Sequence, residues 1–248
     1  MVSEDFLVIS KNVVESVEKI RAALGIDKEA VGVKYTDEPP ATTLDEGKYA
    51  VCGGILEATN GKVIMLSSET CSCPGGKSHL GLSERREVPL KMLVEGEKLW
   101  CDVKTATRSF IESEKIAKPP LGIARKVYLY PVTKAVFVPD LIIFLVNAEQ
   151  VSRLVTLAQF WDGKTPSFEM RGSLCWSSIT YPLVSGNFNV TAGDISARRM
   201  AGFDKNIMFA TVPLEKVQGI ANAIDKSTAG TAKQSREFSR MTEQIRTK

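Results

Sequence analysis

The apolar run at 141–146 constrains the fold of this chain more than any other segment. All six of its residues are apolar, and Asp140 and Asn147 bound it. A strand that is apolar on both faces has to be covered by protein on both faces, as in sheets that carry helices. The run therefore predicts a central buried strand. It is far shorter than the roughly 20 residues that a membrane-spanning helix needs, so we expect no such helix.

Patterns on either side of this run predict helices that alternate with strands. Apolar residues three to four apart, or a glycine-rich start, predict helices at 6–24, 49–60, 88–100, 149–161 and 214–224, with a short one around His79. Apolar runs, several of them rich in β-branched or aromatic residues, predict further strands at 31–35, 62–66, 127–138, 168–175, 190–192 and 208–212. Because such alternation favours some parallel pairing, the predicted fold class is α/β or α+β, with a mixed sheet covered by helices.

Composition and charge exclude several classes of protein. Hydrophobic residues make up 44% and charged residues 25% of the chain, which excludes a disordered or collagen-like protein. The net charge of +3 is too small to indicate a nucleic-acid or membrane-surface partner. The N-terminus carries Glu4 and Asp5 and lacks the basic region of a secretory signal. We therefore expect a cytoplasmic protein.

A weak internal repeat indicates that the domain has two similar halves. A Gly-Lys pair at 61–62 begins a predicted strand that leads to Cys73. A second Gly-Lys pair at 163–164 leads to Cys175 after the same number of residues. If a pseudo-two-fold axis relates the halves, Cys73 and Cys175 face one interface.

This repeat sets the predicted domain organisation. We expect one globular α/β domain over residues 1–225, made of two similar halves at about 25–125 and 126–225. A polar, basic tail or surface helix is expected over 226–248. The cleft between the halves is the expected pocket, since ligand sites prefer such junctions.

The cysteines give the clearest chemical lead. The chain has five of them, and an odd number in a cytoplasmic chain argues against a disulfide framework. Cys101 lies in an apolar run, so we expect it to be a buried structural thiol. Cys71 and Cys73 lie on a glycine-containing loop whose free N–H groups would stabilise a thiolate. A strained, reducible disulfide between these two is a further alternative.

Soft thiolates are the ligands of iron–sulfur clusters and thiophilic metals. The candidate metal ligands are therefore Cys52, Cys71, Cys73 and Cys175. The alternative is that these cysteines are structural and buried. His79 is the only histidine, so a zinc site that needs two histidines is excluded, and a lone histidine more often has a structural role.

Glycines and a pair of arginines could hold an anion beside these thiols. The backbone at Gly53, Gly75 and Gly76 could cradle an anion. Arg198 and Arg199 follow a turn and could clamp a carboxylate or phosphate, and on a strand only one of the two would enter the cleft. The alternative for the two arginines is a solvated or salt-bridged surface.

Several segments, taken in order, are similar to one prokaryotic family. They are 31–35, 52–54, 61–66, 73–82, 139–144, 175–182, 192–199 and 212–213. Over residues 8–225 the chain resembles the archaeal cysteine-rich family (ArCR), the domain of unknown function number 169. The resemblance implies an archaeal or anaerobic bacterial protein, cytoplasmic and without an assigned activity.

The family's recurring positions fall on particular residues here. The resemblance implies that its cysteines correspond to Cys52, Cys73 and Cys175, and that its Gly…Arg-Arg element corresponds to Gly193, Arg198 and Arg199. Because the family pattern ends on Arg199, the resemblance implies that this arginine is the one in the cleft. The further cysteine that this element often carries is missing, because Ala192 and Asp194 stand there. Cys71 could take its place as a fourth ligand.

Two functional hypotheses follow. The first is an iron–sulfur or other thiophilic-metal protein that acts on or senses a small anionic molecule. The second is a non-catalytic binding module for a small anionic metabolite, with structural cysteines. Neither hypothesis decides whether the protein is an enzyme, and both leave an oligomer open.

Overall fold

A six-stranded sheet forms the centre of the protein. The computed structural model describes residues 4–83, 90 and 92–231. The strands are β1 Val31–Tyr35, β2 Ile64–Leu66, β3 Val127–Pro131, β4 Leu141–Val146, β5 Asn189–Thr191 and β6 Met208–Pro213. They lie in the order β2-β3-β1-β4-β6-β5. The prediction for 141–146 is confirmed: all six residues of β4 are buried, and the strand lies between β1 and β6.

Helices cover both faces of this sheet. The α-helices are α1 Glu4–Leu24, α2 Val51–Thr59, α3 Pro74–His79, α4 Val103–Ile116, α5 Ala148–Gln159, α6 Tyr181–Ser185, α7 Ile195–Ala201, α8 Leu214–Ala223 and α9 Thr228–Thr231. Two short π-helical segments, Met92–Gly96 and Trp176–Thr180, and a 3₁₀ turn, Val132–Lys134, complete the described elements. None of the helices in the described part of the chain has the length and apolar content to cross a bilayer.

The α+β class is correct, but the expected parallel pairing of strands is wrong. Every neighbouring pair of named strands is antiparallel. The crossover through α2 does make β1 and β2 point the same way, yet β3 lies between them and pairs with both. The same arrangement recurs where β6 separates β4 from β5. Among the described residues, parallel pairing is limited to two isolated bridges, Asp45 with Ile64 and Tyr49 with Cys71.

The alternation of side chains along β4 divides the core into two layers. Leu141, Ile143 and Leu145 pack on the face that α2 and α7 cover. The intervening residues pack against α1, α5 and α8 on the opposite face. The predicted cysteines Cys52, Cys71, Cys73 and Cys175 all belong to the first layer.

The two predicted halves correspond in their strands but not in their helices. The strand order is symmetrical about the β1–β4 pair. The first three strands lie in the order β2-β3-β1 and the last three in the order β4-β6-β5, so in each set the strand that comes last in the chain lies between the other two. However, α2 packs on one face of the sheet and α5 on the other. A two-fold rotation normal to the sheet would leave both on the same face. The boundaries of the halves therefore stay a prediction.

The predicted strand at 168–175 is wrong. Residues 164–173 contain no strand, and Cys175 lies in a helical turn. The amide of Asn189 replaces a strand partner here: its Oδ1 accepts from the Glu169 N–H at 2.8 Å, and its Nδ2 donates to the Glu169 carbonyl at 3.1 Å. Because a side chain satisfies this backbone, the segment needs no place in the sheet.

Three further predictions are met only in part. The strand at 127–138 ends at Pro131 and turns through Val132–Lys134. Of the helix at 88–100, the structure describes Met92–Gly96 as π-helical, while 84–89 and 91 lie outside the described residues. The helix α4 was not predicted. Of the tail predicted at 226–248, the structure describes 226–231, which include α9, while 232–248 lie outside the described residues.

Candidate functional site

A loop before α3 carries the first two thiols. Pro74 occupies the first position of α3, and Cys73 precedes it as the N-cap residue. The Sγ atom of Cys73 accepts a hydrogen bond from the Gly76 N–H at 3.4 Å. Cys71 differs, because it is buried and its Sγ lies 3.6 Å from the Cys73 carbonyl oxygen. The loop thus presents one thiol at a helix start and holds the other in the core.

Backbone pairing ties this loop to the start of α2, which carries Cys52. The Tyr49 N–H donates to the Thr70 carbonyl at 3.2 Å, and the Ser72 N–H donates to the Tyr49 carbonyl at 2.9 Å. Cys52 lies in the first turn of α2, three residues after Tyr49. The pairing therefore holds Cys52 near the loop that carries Cys73.

Asp194 fixes the segment of the third cysteine. Its Oδ1 accepts a hydrogen bond from the Ala197 N–H at 2.7 Å and thereby caps α7. Its Oδ2 accepts from the Leu174 N–H at 2.8 Å, one residue before Cys175. One carboxylate therefore holds the start of α7 against the turn that contains Cys175.

These segments meet at one cavity, which has about 800 Å³ of free space with its open mouth included. Cys52, Cys73 and Cys175 line it, together with Gly75 and Gly76. The first two cysteines precede β3 in the chain, and the third follows β4. Chain segments from both predicted halves thus line the cavity.

A second group of lining residues is aromatic or aliphatic. The ring centroids of Trp100 and Phe110 lie 5.9 Å apart. The His79 ring stacks on Phe110, with 5.8 Å between centroids and 23° between ring planes. The remaining apolar lining comes from Val51, Pro74, Leu93, Leu99, Ala197 and Met200. The cavity therefore has an apolar part beside its thiols.

Burial and mutual repulsion raise the pKa values of two cavity thiols, Cys52 and Cys175. Burial first, and then the charges of Cys73 and Asp194, raise the pKa of Cys52 to about 11. Burial also raises the pKa of Cys175 well above its ordinary range, and the neighbouring Cys73 and Cys52 add to the effect. At neutral pH the metal-free protein therefore keeps these groups as neutral thiols, near enough to repel each other when charged.

His79 is a neutral ring in the same cavity. Burial lowers its pKa to about 4, and the nearby carboxylate of Asp194 opposes this effect only in part. Its carbonyl accepts a hydrogen bond from the Thr180 hydroxyl at 2.5 Å, which joins α3 to the segment after Cys175. The prediction of a merely structural histidine did not foresee its place in the cavity lining.

Cys71, Gly53, Arg198 and Arg199 lie outside the cavity lining. The predicted strand at the two arginines is wrong, because both lie in α7. The guanidinium of Arg198 donates to four carbonyls around the end of this helix, those of Ala192, Asp204, Lys205 and Ile207. Arg199 is exposed. The structure therefore brings neither arginine to the thiols, and the expectation that Arg199 enters the cleft is not met.

Cys101 is exposed, which corrects the prediction of a buried thiol. Asp102 caps α4 by accepting a hydrogen bond from the Thr105 N–H at 2.7 Å. The cap makes Cys101 the last residue before a surface helix. Its Sγ lies 3.5 Å from the Thr105 hydroxyl, and Trp100 lines the cavity in its place.

We expect Cys101 to be the most reactive thiol of the metal-free protein. Its exposure should make alkylation by iodoacetamide at least about tenfold faster than at the buried or half-buried cysteines, whose access is limited. Mass spectrometry after timed alkylation would measure this rate for each cysteine. The Cys101→Ser variant should lose the fast phase, and a fast phase that persists in it would contradict the expectation.

Sequence reasoning missed Asp194, Glu97 and the aromatic residues Trp100 and Phe110. The available signals were helix caps, since Asp102 and Asp194 each stand one residue before a helix. Recognising the first cap predicts α4, which carries Phe110. No pattern in the sequence indicates that α4 lies beside the cysteines.

The sheet and cavity define an α+β protein with a cavity bordered by cysteines. The chain belongs to the family described as Uncharacterised ArCR, which it matches over residues 19–223. The resemblance drawn from the sequence is thereby confirmed. No curated protein and no solved structure matches the chain.

Proposed function

We propose that the protein binds an iron–sulfur cluster through Cys52, Cys73 and Cys175. The observation that carries the proposal is that these three thiols, from distant parts of the chain, line one cavity. Thiolates are the usual protein ligands of such clusters. All five cysteines are free thiols, so none of the three is committed to a disulfide. A cytoplasmic location is part of the proposal, because thiols stay reduced there.

A cluster suits this arrangement better than a single metal ion. Within the described residues, no group of three or more His, Cys, Asp or Glu is arranged to hold one ion. A single zinc ion needs all its sulfur ligands about 2.3 Å away, which brings them close together. A cluster binds each thiolate through a different iron, so its ligands stand farther apart.

The repulsion between the thiols favours a cationic centre. Cys73 and Cys52 each raise the pKa of Cys175 because their negative charges would repel its own. Iron ions among the sulfur atoms would replace this repulsion with attraction, and binding would release the thiol protons. Metal binding should therefore strengthen as the pH rises.

Three thiolate ligands would leave one iron of a four-iron cluster without a protein ligand. That position could bind a small molecule from the cavity, as a Lewis acid or in electron transfer. The chain's own contribution is to hold the thiols, through the α3 cap and Asp194, and to enclose them in an apolar cavity.

Anaerobic purification and reconstitution with iron and sulfide test the proposal. We expect brown protein with bound iron and broad visible absorption. Replacing Cys52, Cys73 or Cys175 singly with serine should lower bound iron severalfold, whereas Cys101→Ser should keep it. Cys71→Ser should also keep it, with some loss of stability, because Cys71 is buried outside the cavity lining.

The contrary results are equally definite. Wild-type protein that stays colourless and iron-free would reject the cluster and favour the binding-module hypothesis. Loss of iron in a folded Cys71→Ser variant would instead show four cysteine ligands.

A further inference from the structure

The part of the cavity beside the thiols has features of a site for a particular kind of molecule. His79 is only 8% exposed and lines the cavity. Its neutral imidazole carries one nitrogen that donates and one that accepts a hydrogen bond. A ligand whose polar edge pairs with this imidazole gains a hydrogen bond inside a mostly apolar cavity.

The surroundings of His79 favour a flat ring. Phe110 stacks against the imidazole on one side, and Trp100 packs at an angle to Phe110. Leu99 and Met200 add apolar surface to the same cavity. Flat aromatic molecules gain from stacking and from the loss of water-exposed apolar area in such a place.

The charges of the cavity disfavour an anion. Two carboxylates, Glu97 and Asp194, line it. Glu97 accepts a hydrogen bond from the Ser196 hydroxyl at 2.9 Å, and Asp194 caps α7, so both are held in place. An anionic ligand would meet these like charges at short range, which weakens binding.

We propose that the cavity binds an uncharged planar ring with a polar edge, such as a small heterocycle, and that His79 hydrogen-bonds to that edge. The inference rests on the proposed function in one respect: the ring would be the molecule that reaches the iron without a protein ligand. It replaces the small anion expected from the arginine pair with an uncharged ligand. The volume of the cavity that admits the centre of a water molecule is about 130 Å³. This is close to the roughly 150 Å³ of an apolar cavity that binds benzene, so one small ring fits it.

The test uses 2-pyridone as the probe, because it is an uncharged ring with one N–H donor and one carbonyl acceptor. Benzoate serves as the anionic ring of similar size. Since His79 is the only histidine of the sequence, its imidazole signals are unambiguous in nuclear magnetic resonance spectra of untagged protein. We expect 2-pyridone to shift these signals and to bind at least about tenfold more tightly than benzoate.

Matched variants locate the binding. Phe110→Leu should weaken 2-pyridone binding severalfold. Phe168→Leu should leave it unchanged, because Phe168 pairs with Phe188 on the opposite side of the sheet. His79→Leu should weaken binding about tenfold, the loss expected for one hydrogen bond. If His79→Leu does not fold, the wild-type imidazole signals still decide.

The inference is overturned if benzoate binds as tightly as 2-pyridone, if the His79 signals do not move, or if Phe168→Leu weakens binding as much as Phe110→Leu. The titrations are run on metal-free and on reconstituted protein. Binding of 2-pyridone by protein that never takes up iron would reject the cluster alone. Reconstituted protein that binds iron but whose His79 signals do not shift on addition of 2-pyridone would reject this inference alone.

Discussion

Replacing Gly76 with alanine is expected to destabilise the protein by about 1 to 2 kcal/mol, whereas the same change at Gly53 is expected to stabilise it by about 0.5 to 1 kcal/mol. Both glycines lie in helices with ordinary φ values, so alanine suits either backbone. The difference is in their surroundings. A methyl group at Gly76 would lie 2.7 Å from the Val51 side chain and 3.3 Å from Cys71 Sγ. At Gly53 nothing lies within 4 Å.

The packing at Gly76 is tight because Val51 is fully buried and cannot retreat. Overpacking of this kind costs about 1 to 3 kcal/mol, and the better helix propensity of alanine offsets up to about 1 kcal/mol of it. Denaturant unfolding of the two variants beside wild-type protein measures the difference. Equal stability of the two variants would mean that α3 and α2 do not pack closely against each other at Gly76.

The central strand and the main helices were predictable because each carries a strong local pattern. All six residues of β4 are apolar, and α1, α5 and α8 carry apolar residues at helical spacing. Burial alone produces these patterns, so they can be recognised without knowing the tertiary fold. Strand order depends on which distant segments meet, and no local pattern encodes that. This is why β3, inserted between β1 and β2, turned an expected parallel pair into two antiparallel ones.

The cysteines of the site were predictable from their residue type and their loop, but their setting was not. Cys73 next to Pro74 and a glycine pair indicates a thiol at a helix start. The apolar part of the cavity includes Phe110 of α4, which joins the cysteines at the cavity only through the tertiary fold. The prediction for the arginine pair is wrong for a local reason. Asp194 caps a helix there, and Arg198 donates hydrogen bonds to carbonyls around the end of that helix.

Acid is expected to destabilise the metal-free protein through His79, from about pH 6.5 downward. Burial lowers the pKa of His79 from about 6.5 in the unfolded chain to about 4 in the folded protein. Between these values the unfolded chain binds a proton that the folded protein does not, so stability falls as the pH falls. The loss should approach about 3 kcal/mol by pH 4, or about 1.4 kcal/mol per unit within the window.

The sequence makes this prediction specific, since His79 is its only histidine. The carboxyl groups with altered pKa values, among them Asp37 and Asp45, are shifted downward and so titrate below this window. Denaturant unfolding from pH 7 to pH 5 should show the slope in wild-type protein and a nearly flat profile in His79→Leu. Titration of the imidazole signals gives the same pKa without a variant. A wild-type profile that is flat over this range, or an imidazole pKa near 6.5, would mean that His79 is open to water and not part of a closed apolar cavity.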